Sequence, residues 1–224
     1  GVKISKVSKL NDEELHTLVT EKCQNNGSFT SEINTLKMAM FEYDQVSFEK
    51  AFDDCVAKYG AEKAFTEVLG EFIAQLGVLW QTNTVSITNE HFVSNLIKQK
   101  LYCVIDSVKK ENRPDAKTYL LYLPANELHE IGLLYLQYHL KNRGDKVIFL
   151  GQNTPSNYLC DVYKKTPFDE AISVFTTSPN CSEIDDYFDE LLDNLQQYPI
   201  TFKFCGTQLH KTIEDGYKND RILL

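Results

Sequence analysis

Glu127, His129 and Gly132 make up the stretch of this chain whose residue types and spacing could do chemistry. An imidazole bonded at one ring nitrogen by a nearby carboxylate is fixed in one tautomer, and its other nitrogen becomes a better metal ligand. Glu127, two residues before His129, can supply that bond. Gly132 removes a side chain that would block a large flat group. The stretch follows Tyr119-Leu120-Leu121-Tyr122-Leu123, an apolar run that reads as a buried parallel strand, and it opens a helix running to Arg143-Gly144. His129 thus sits on the loop beyond a strand's carboxyl end, where open α/β sheets leave the crevice that takes ligands. Glu-x-His-x-x-Gly by itself also fits a helix cap beside a loop histidine, so the surrounding elements decide its meaning.

Those elements fall on either side of Lys109-Lys110-Glu111-Asn112-Arg113-Pro114-Asp115, a polar linker with a helix-stopping proline. Beyond it the pattern predicts strand 118–123, helix 128–143, strand 146–150, helix 156–165, strand 171–176, helix 182–197, strand 201–205, helix 208–217 and a terminal apolar piece at 221–224. Apolar strands alternating with amphipathic helices mean a parallel sheet covered on both faces, so the expected fold of residues 113–224 is α/β, Rossmann-like or flavodoxin-like.

Ahead of the linker, residues 23–112 read as a four-helix bundle. Its stripes are Ile33, Leu36, Met40 and Phe41; then Val46, Phe48, Ala51, Phe52, Cys55 and Tyr59; then Phe65, Leu69, Phe72, Ile73, Leu76 and Trp80; and last Val93, Leu96, Ile97, Leu101, Val104 and Val108. Glu90 falls on the apolar side of the last helix, with His91 at its flank. Burying an unpaired carboxylate costs several kcal/mol, so Glu90 must be paired, protonated, facing a polar ligand or water, or close to solvent in the first turn. Trp80 and the Glu90-His91 pair flank one tight turn and project from one end of the bundle.

A net charge of −9 speaks against a nucleic-acid surface. The cysteines Cys23, Cys55, Cys103, Cys160, Cys181 and Cys205 form no C-x-x-C pair, which argues for buried free thiols rather than a disulfide framework or a zinc site. With no signal-peptide core and no long apolar run, the expectation is a cytoplasmic protein away from membranes.

Three sets of motifs carry a family resemblance. Gly1 to Val7 followed by Leu10-Asn11-Asp12-Glu13-Glu14-Leu15 resembles the last helix of the winged-helix DNA-binding domain of MerR-type regulators, which makes residues 1–22 a remnant of that domain and its linker. Trp80, nine intervening residues and then Glu90-His91 resemble the cap of the light-sensing, cobalamin-binding MerR-family regulators. Glu127-x-His129-x-x-Gly132, then Ser173-Val174-Phe175, then Cys205-Gly206 resemble the corrinoid-binding pattern Asp-x-His-x-x-Gly, Ser-x-Leu and Gly-Gly, in the same order. The departures are Glu127 for Asp, Phe175 for Leu and Cys205 for the first Gly.

The resemblance implies the effector-sensing part of a transcription regulator, not an enzyme, that holds adenosylcobalamin or methylcobalamin. In that family His129 would replace the benzimidazole as lower cobalt ligand, with Glu127 and Ser173 supporting it. Gly132 would make room for the corrin and Gly206 for the displaced nucleotide tail, while Trp80, Glu90 and His91 would pack on the upper ligand. Gly151-Gln152-Asn153-Thr154-Pro155 is a further loop at the same edge that could meet the corrin amides. The resemblance also implies DNA as a partner, through a domain absent from this chain, and a homo-oligomer, dimer or tetramer. Two alternatives share the architecture: a corrinoid carrier of a methyl-transfer system, and a degenerate domain that binds nothing and serves oligomerisation. Gln81 stands where those photoreceptors have a second cobalt-binding histidine.

Overall fold

The computed structural model describes residues 29–81 and 84–224, so the helical pieces expected within residues 1–22 lie outside the described residues. The chain divides into two compact units, Gly1–Ile97 and Lys98–Leu224. That division falls inside a helix rather than in the 109–115 linker.

The first unit is helical. Helix α1 (Thr30–Phe41) buries Ile33, Leu36, Ala39 and Met40. Helix α2 (Gln45–Tyr59) starts where the Asp44 carboxylate accepts the N–H of Ser47, the usual answer to an open helix N-terminus. It buries Phe48, Phe52 and Cys55 and ends at Gly60, whose φ of +83° suits a residue without Cβ. The third helix, α3, runs from Ala61–Lys63 through a π-helical stretch, Ala64–Leu69, into Gly70–Gln81. Helix α4 spans Ile87–Ser107 and buries Val93, Leu96 and Ile97 in this unit. Three positions of the expected stripes face solvent instead: Val46, Ile73 and Trp80. Val46 lies in the first turn of α2 at 76% exposure. Val108 lies beyond the end of α4, and Ile105 is the residue buried there.

The second unit is a five-stranded parallel sheet in the order β2-β1-β3-β4-β5. Its strands are β1 (Thr118–Tyr122), β2 (Lys146–Gly151), β3 (Glu170–Val174), β4 (Thr201–Cys205) and β5 (Ile222–Leu223). Between them lie α5 (Ile131–Arg143), α6 (Leu159–Lys165), α7 (Ile184–Asn194) and α8 (His210–Glu214). Both sheet faces are covered, which is why the strands read as continuous apolar runs. Leu120, Tyr122, Ala171, Phe202 and Phe204 face one core, and Tyr119, Leu121 and Leu123 face the other. This order is the flavodoxin-like one, whose topological switch point lies between β1 and β3. A register shift between Leu121 and Tyr122 bends β1 against β2 close to the carboxyl edge.

Asp145 ties the start of β2 to the linker. Its carboxylate is fully buried and accepts from Arg113 Nη2 at 2.6 Å, from the Lys117 N–H at 3.3 Å and from Arg143. Burial pushes this carboxyl's pKa up, but the two guanidinium groups outweigh that and hold it below the usual aspartate value. A lowered folded-state pKa contributes stability that is present above the unfolded value and is lost as pH falls through the folded one. Asp145→Asn should therefore cost about 1.5–3 kcal/mol in denaturant titrations at neutral pH, the range for hydrogen bonds to charged groups. The gap to wild type should narrow once the pH drops below about 4, the ordinary aspartate range. Equal stability of the two proteins at neutral pH would contradict this.

Candidate functional site

At the carboxyl edge of the sheet the loop after β1 is built around the Glu127 side chain. The Glu127 carboxylate has 0% exposure. Its Oε1 accepts the N–H groups of Leu128 at 2.9 Å and His129 at 3.0 Å. Its Oε2 accepts those of Thr176 at 2.8 Å, Thr177 at 2.6 Å and Ser178 at 3.0 Å, all on the loop after β3. Burial alone would raise the pKa, yet these N–H groups and the imidazole lower it to about 2. An ionised carboxylate only accepts, so His129 Nδ1, 2.6 Å from Glu127 Oε1, carries the proton and donates it. In the neutral imidazole the second ring nitrogen, Nε2, then keeps its lone pair, and the side chain is 52% exposed.

This loop also explains why α5 starts at Ile131, three residues later than the sequence pattern suggests. The Leu128 carbonyl, which would open the helix by accepting from residue 132, accepts instead from the Glu130 N–H at 3.0 Å and from Gln152 Nε2. Further contacts pin the loop from both sides. Asn126, at φ +67°, donates its N–H to Asn153 Oδ1, and Gln152 Nε2 donates to Leu128 O at 2.7 Å. Ser178 Oγ donates to Ala125 O, and Thr207 Oγ1 holds the Thr176 carbonyl from the loop after β4. Gln152 and Asn153 thus brace the His129 loop. The 151–155 loop lies at the edge expected for it, and these bonds engage both of its amide side chains. The Thr176–Ser178 N–H groups had no sequence signal, since any residue type can supply a main-chain donor.

The glycines differ in kind. Gly132, in the first turn of α5, is exposed, and a Cβ added there would meet nothing within 4 Å. Gly206 has φ +128°, and a Cβ there would lie 2.2 Å from the Phe175 carbonyl oxygen. The close approach of the β3 and β4 ends therefore already demands glycine at 206. Ser173 lies on β3 with its side chain buried, and its Oγ has no hydrogen-bond partner. Phe175 and Phe204 stack beside it with ring centroids 4.9 Å apart, and Cys205 at the end of β4 is exposed. Among the described cysteines only Cys55 is buried; Cys103 and Cys181 are exposed as well, against the expectation of buried thiols.

In the helical unit, the turn before α4 folds back so that Leu79 O accepts the N–H of Thr84 at 2.9 Å. Ser86 and Asn89 cap α4 reciprocally: Asn89 N–H donates to Ser86 Oγ at 3.2 Å and Ser86 N–H to Asn89 Oδ1 at 3.3 Å. Asn89 Nδ2 also donates to Met40 O, fixing this end to α1. Glu90 is half-buried in the first turn; it accepts from Ser94 Oγ at 2.6 Å and lies 2.7 Å from His91 Nδ1. That pairing answers why a carboxylate sits beside the apolar stripe. Trp80, near the end of α3, is 56% exposed.

Three features of the sheet edge suit a flat metal macrocycle with a polar appendage: a half-exposed imidazole, open space over Gly132 and a buried hydroxyl without a partner. The described residues contain no cluster of three or more His, Cys, Asp or Glu that could hold a bare ion, and no described helix is long and apolar enough to cross a membrane. We expect Gly206→Ala to destabilise the protein by about 3 kcal/mol or more, through strain and overlap with Phe175. Gly132→Ala should leave stability unchanged or raise it by about 0.5–1 kcal/mol. Thermal unfolding of both variants checks this, and a large loss in Gly132→Ala would contradict it.

Comparison with known proteins bears on the same features. Residues 32–104 match the B12 binding domain family. The chain is 27% identical over 165 residues to the HTH-type transcriptional repressor CarH of Myxococcus xanthus, covering 71% of this chain and 54% of that protein. It is 27% identical over 169 residues to the repressor CarA of the same organism, covering 75% and 56%. The chain thus spans about half the length of these curated relatives. The monomethylamine corrinoid protein of Methanosarcina barkeri shares the fold, with a TM-score of 0.70 at 14% identity over 88% of this chain and 93% of that one. Residues 32–104 thus match the B12 binding domain family, and the chain is similar to HTH-type transcriptional repressors, the kind of regulator that its sequence motifs resemble.

Proposed function

We propose that this chain is the effector-sensing part of a transcription regulator, and that it binds cobalamin with His129 as the lower cobalt ligand in place of the benzimidazole. The observation that carries the reading is the Glu127–His129 pair, in which an ionised, buried carboxylate fixes the imidazole with Nε2 free. When bound, cobalamin would supply a cobalt centre able to take a nitrogen ligand from the protein and to carry an adenosyl or methyl group. Glu127 holds the ring in one tautomer, and Gly132 leaves the space beside it clear. Ser173, expected to support His129, makes no hydrogen bond to it, and we assign its unpartnered hydroxyl to the displaced nucleotide tail instead. We assign Trp80, Glu90 and His91 of the helical unit, whose residues 32–104 match the B12 binding domain family, to contacts with the upper ligand.

The regulator reading extends beyond this chain to a DNA-binding domain, a homo-oligomer, dimer or tetramer, and a cytoplasmic location. Sequence similarity to two repressors favours it over a corrinoid carrier. His129→Ala should abolish tight uptake of hydroxocobalamin followed by visible spectroscopy, while Glu127→Ala should weaken it about 10- to 100-fold. Unchanged affinity in His129→Ala would remove the model.

The response to light follows from Gln81. A carboxamide is a poorer ligand for cobalt than an imidazole. Bound adenosylcobalamin should therefore be photolysed without ending as a stable complex of cobalt with two histidines. A two-histidine spectrum that survives gel filtration and vanishes in His91→Ala would overturn this expectation and assign the upper position to His91.

A further inference from the structure

Helix α4 carries Glu90 and His91 in its first turn and continues into the unit that holds the sheet. There Lys98 Nζ lies 3.6 Å from Glu130 Oε1, with the two side chains 26% and 11% exposed. Glu130 directly follows His129 and is the N-cap of α5: its carbonyl accepts the Leu134 N–H at 2.8 Å, and its own N–H donates to Leu128 O at 3.0 Å. Its Oε2 lies 3.8 Å from the point where a Cβ would stand on Gly151, so the carboxylate is wedged toward the carboxyl end of β2. Further along α4, Tyr102 has its phenol pKa raised by burial and by the Glu130 charge, and the Ile105 carbonyl accepts from Lys141 Nζ of α5 at 3.0 Å. Successive turns of one helix thus reach the His129 loop and the helix that follows it.

The ligand motif does not use Glu130. A carboxylate this buried needs a cation close by, because leaving it unpaired costs several kcal/mol. At 3.6 Å Lys98 acts as a charge rather than as a short hydrogen bond, so a guanidinium can replace it but an amide cannot. We propose that Lys98 is a positioning residue for His129: its ion pair with Glu130 fixes the residue after the imidazole, and α4 thereby sets where Nε2 points. The consequence for ligand binding rests on the reading of His129 as the corrinoid ligand; the fixing of the loop does not.

The test compares wild type with Lys98→Gln, Lys98→Arg and Glu130→Gln in the full chain. Without corrinoid, amide hydrogen exchange at His129 and Glu130 should quicken about ten-fold or more in Lys98→Gln and Glu130→Gln, and by more than at the amides of β1 and β3, as expected for local opening. Lys98→Arg should restore slow exchange. With hydroxocobalamin, Lys98→Gln should bind about 10-fold more weakly, as when a ligating histidine loses an outer support, and show less of the histidine-bound visible spectrum. Unchanged exchange at His129 and Glu130 in Lys98→Gln, or the same loosening in Lys98→Arg, would overturn the proposal. Failure of the wild type to take up hydroxocobalamin would instead overturn the ligand reading, and the exchange comparison would still decide the role of Lys98.

Discussion

A carboxylate without solvent survives ionised only when donors surround it, and Glu127 gathers them from two loops. Three main-chain N–H groups arrive from the segment after β3, two from its own loop, and the imidazole N–H of His129 completes the set. The arrangement works in both directions. The loops neutralise the buried charge, and the charge holds the two loops together across the β1/β3 switch point, where the reversal in strand order opens a crevice. His129 is therefore oriented by the fold rather than by its own rotamer preferences. An imidazole prepared in this way loses little freedom when Nε2 meets a metal, and preorganisation of this kind favours affinity.

Much of this was legible in the sequence, for physical reasons. Strands buried on both faces leave unbroken apolar runs, so the sheet and its parallel sense could be read from Tyr119–Leu123 and its counterparts. The placement of His129 on a carboxyl-edge loop and the Glu127 bond to its ring both follow from spacing. Less legible were features that depend on tertiary neighbours. The delayed start of α5 reflects a Leu128 carbonyl engaged by the Glu130 N–H and by Gln152, and Val46 and Ile73 fit an apolar stripe while the packing leaves them outside. Main-chain donors such as Thr176–Ser178 carry no residue signature at all. The two motif glycines look alike in sequence, yet at 206 the backbone of Phe175 requires glycine and at 132 nothing in the protein does.

That contrast bears on function. A glycine, a half-exposed imidazole and an unpartnered hydroxyl that serve no packing need are the features a ligand would explain. The helical unit adds a second carboxylate–imidazole pair, Glu90 and His91, on a helix end fastened by the Ser86–Asn89 cap and the Asn89 bond to Met40. Similarity to two repressors and to the B12 binding domain family gives these features one chemical context.

The claim that matters most is that His129 nitrogen reaches cobalt. Electron paramagnetic resonance of cob(II)alamin bound to protein in which histidine carries nitrogen-15 reads that bond directly. The nuclear spin of the axial nitrogen sets the splitting of the cobalt lines, and the two nitrogen isotopes give different patterns. The account expects the triplet splitting of unlabelled protein to become a doublet on histidine labelling, and that doublet to be absent in labelled His129→Ala. A triplet that persists in the labelled protein would mean that the benzimidazole stays on cobalt, and would contradict the account.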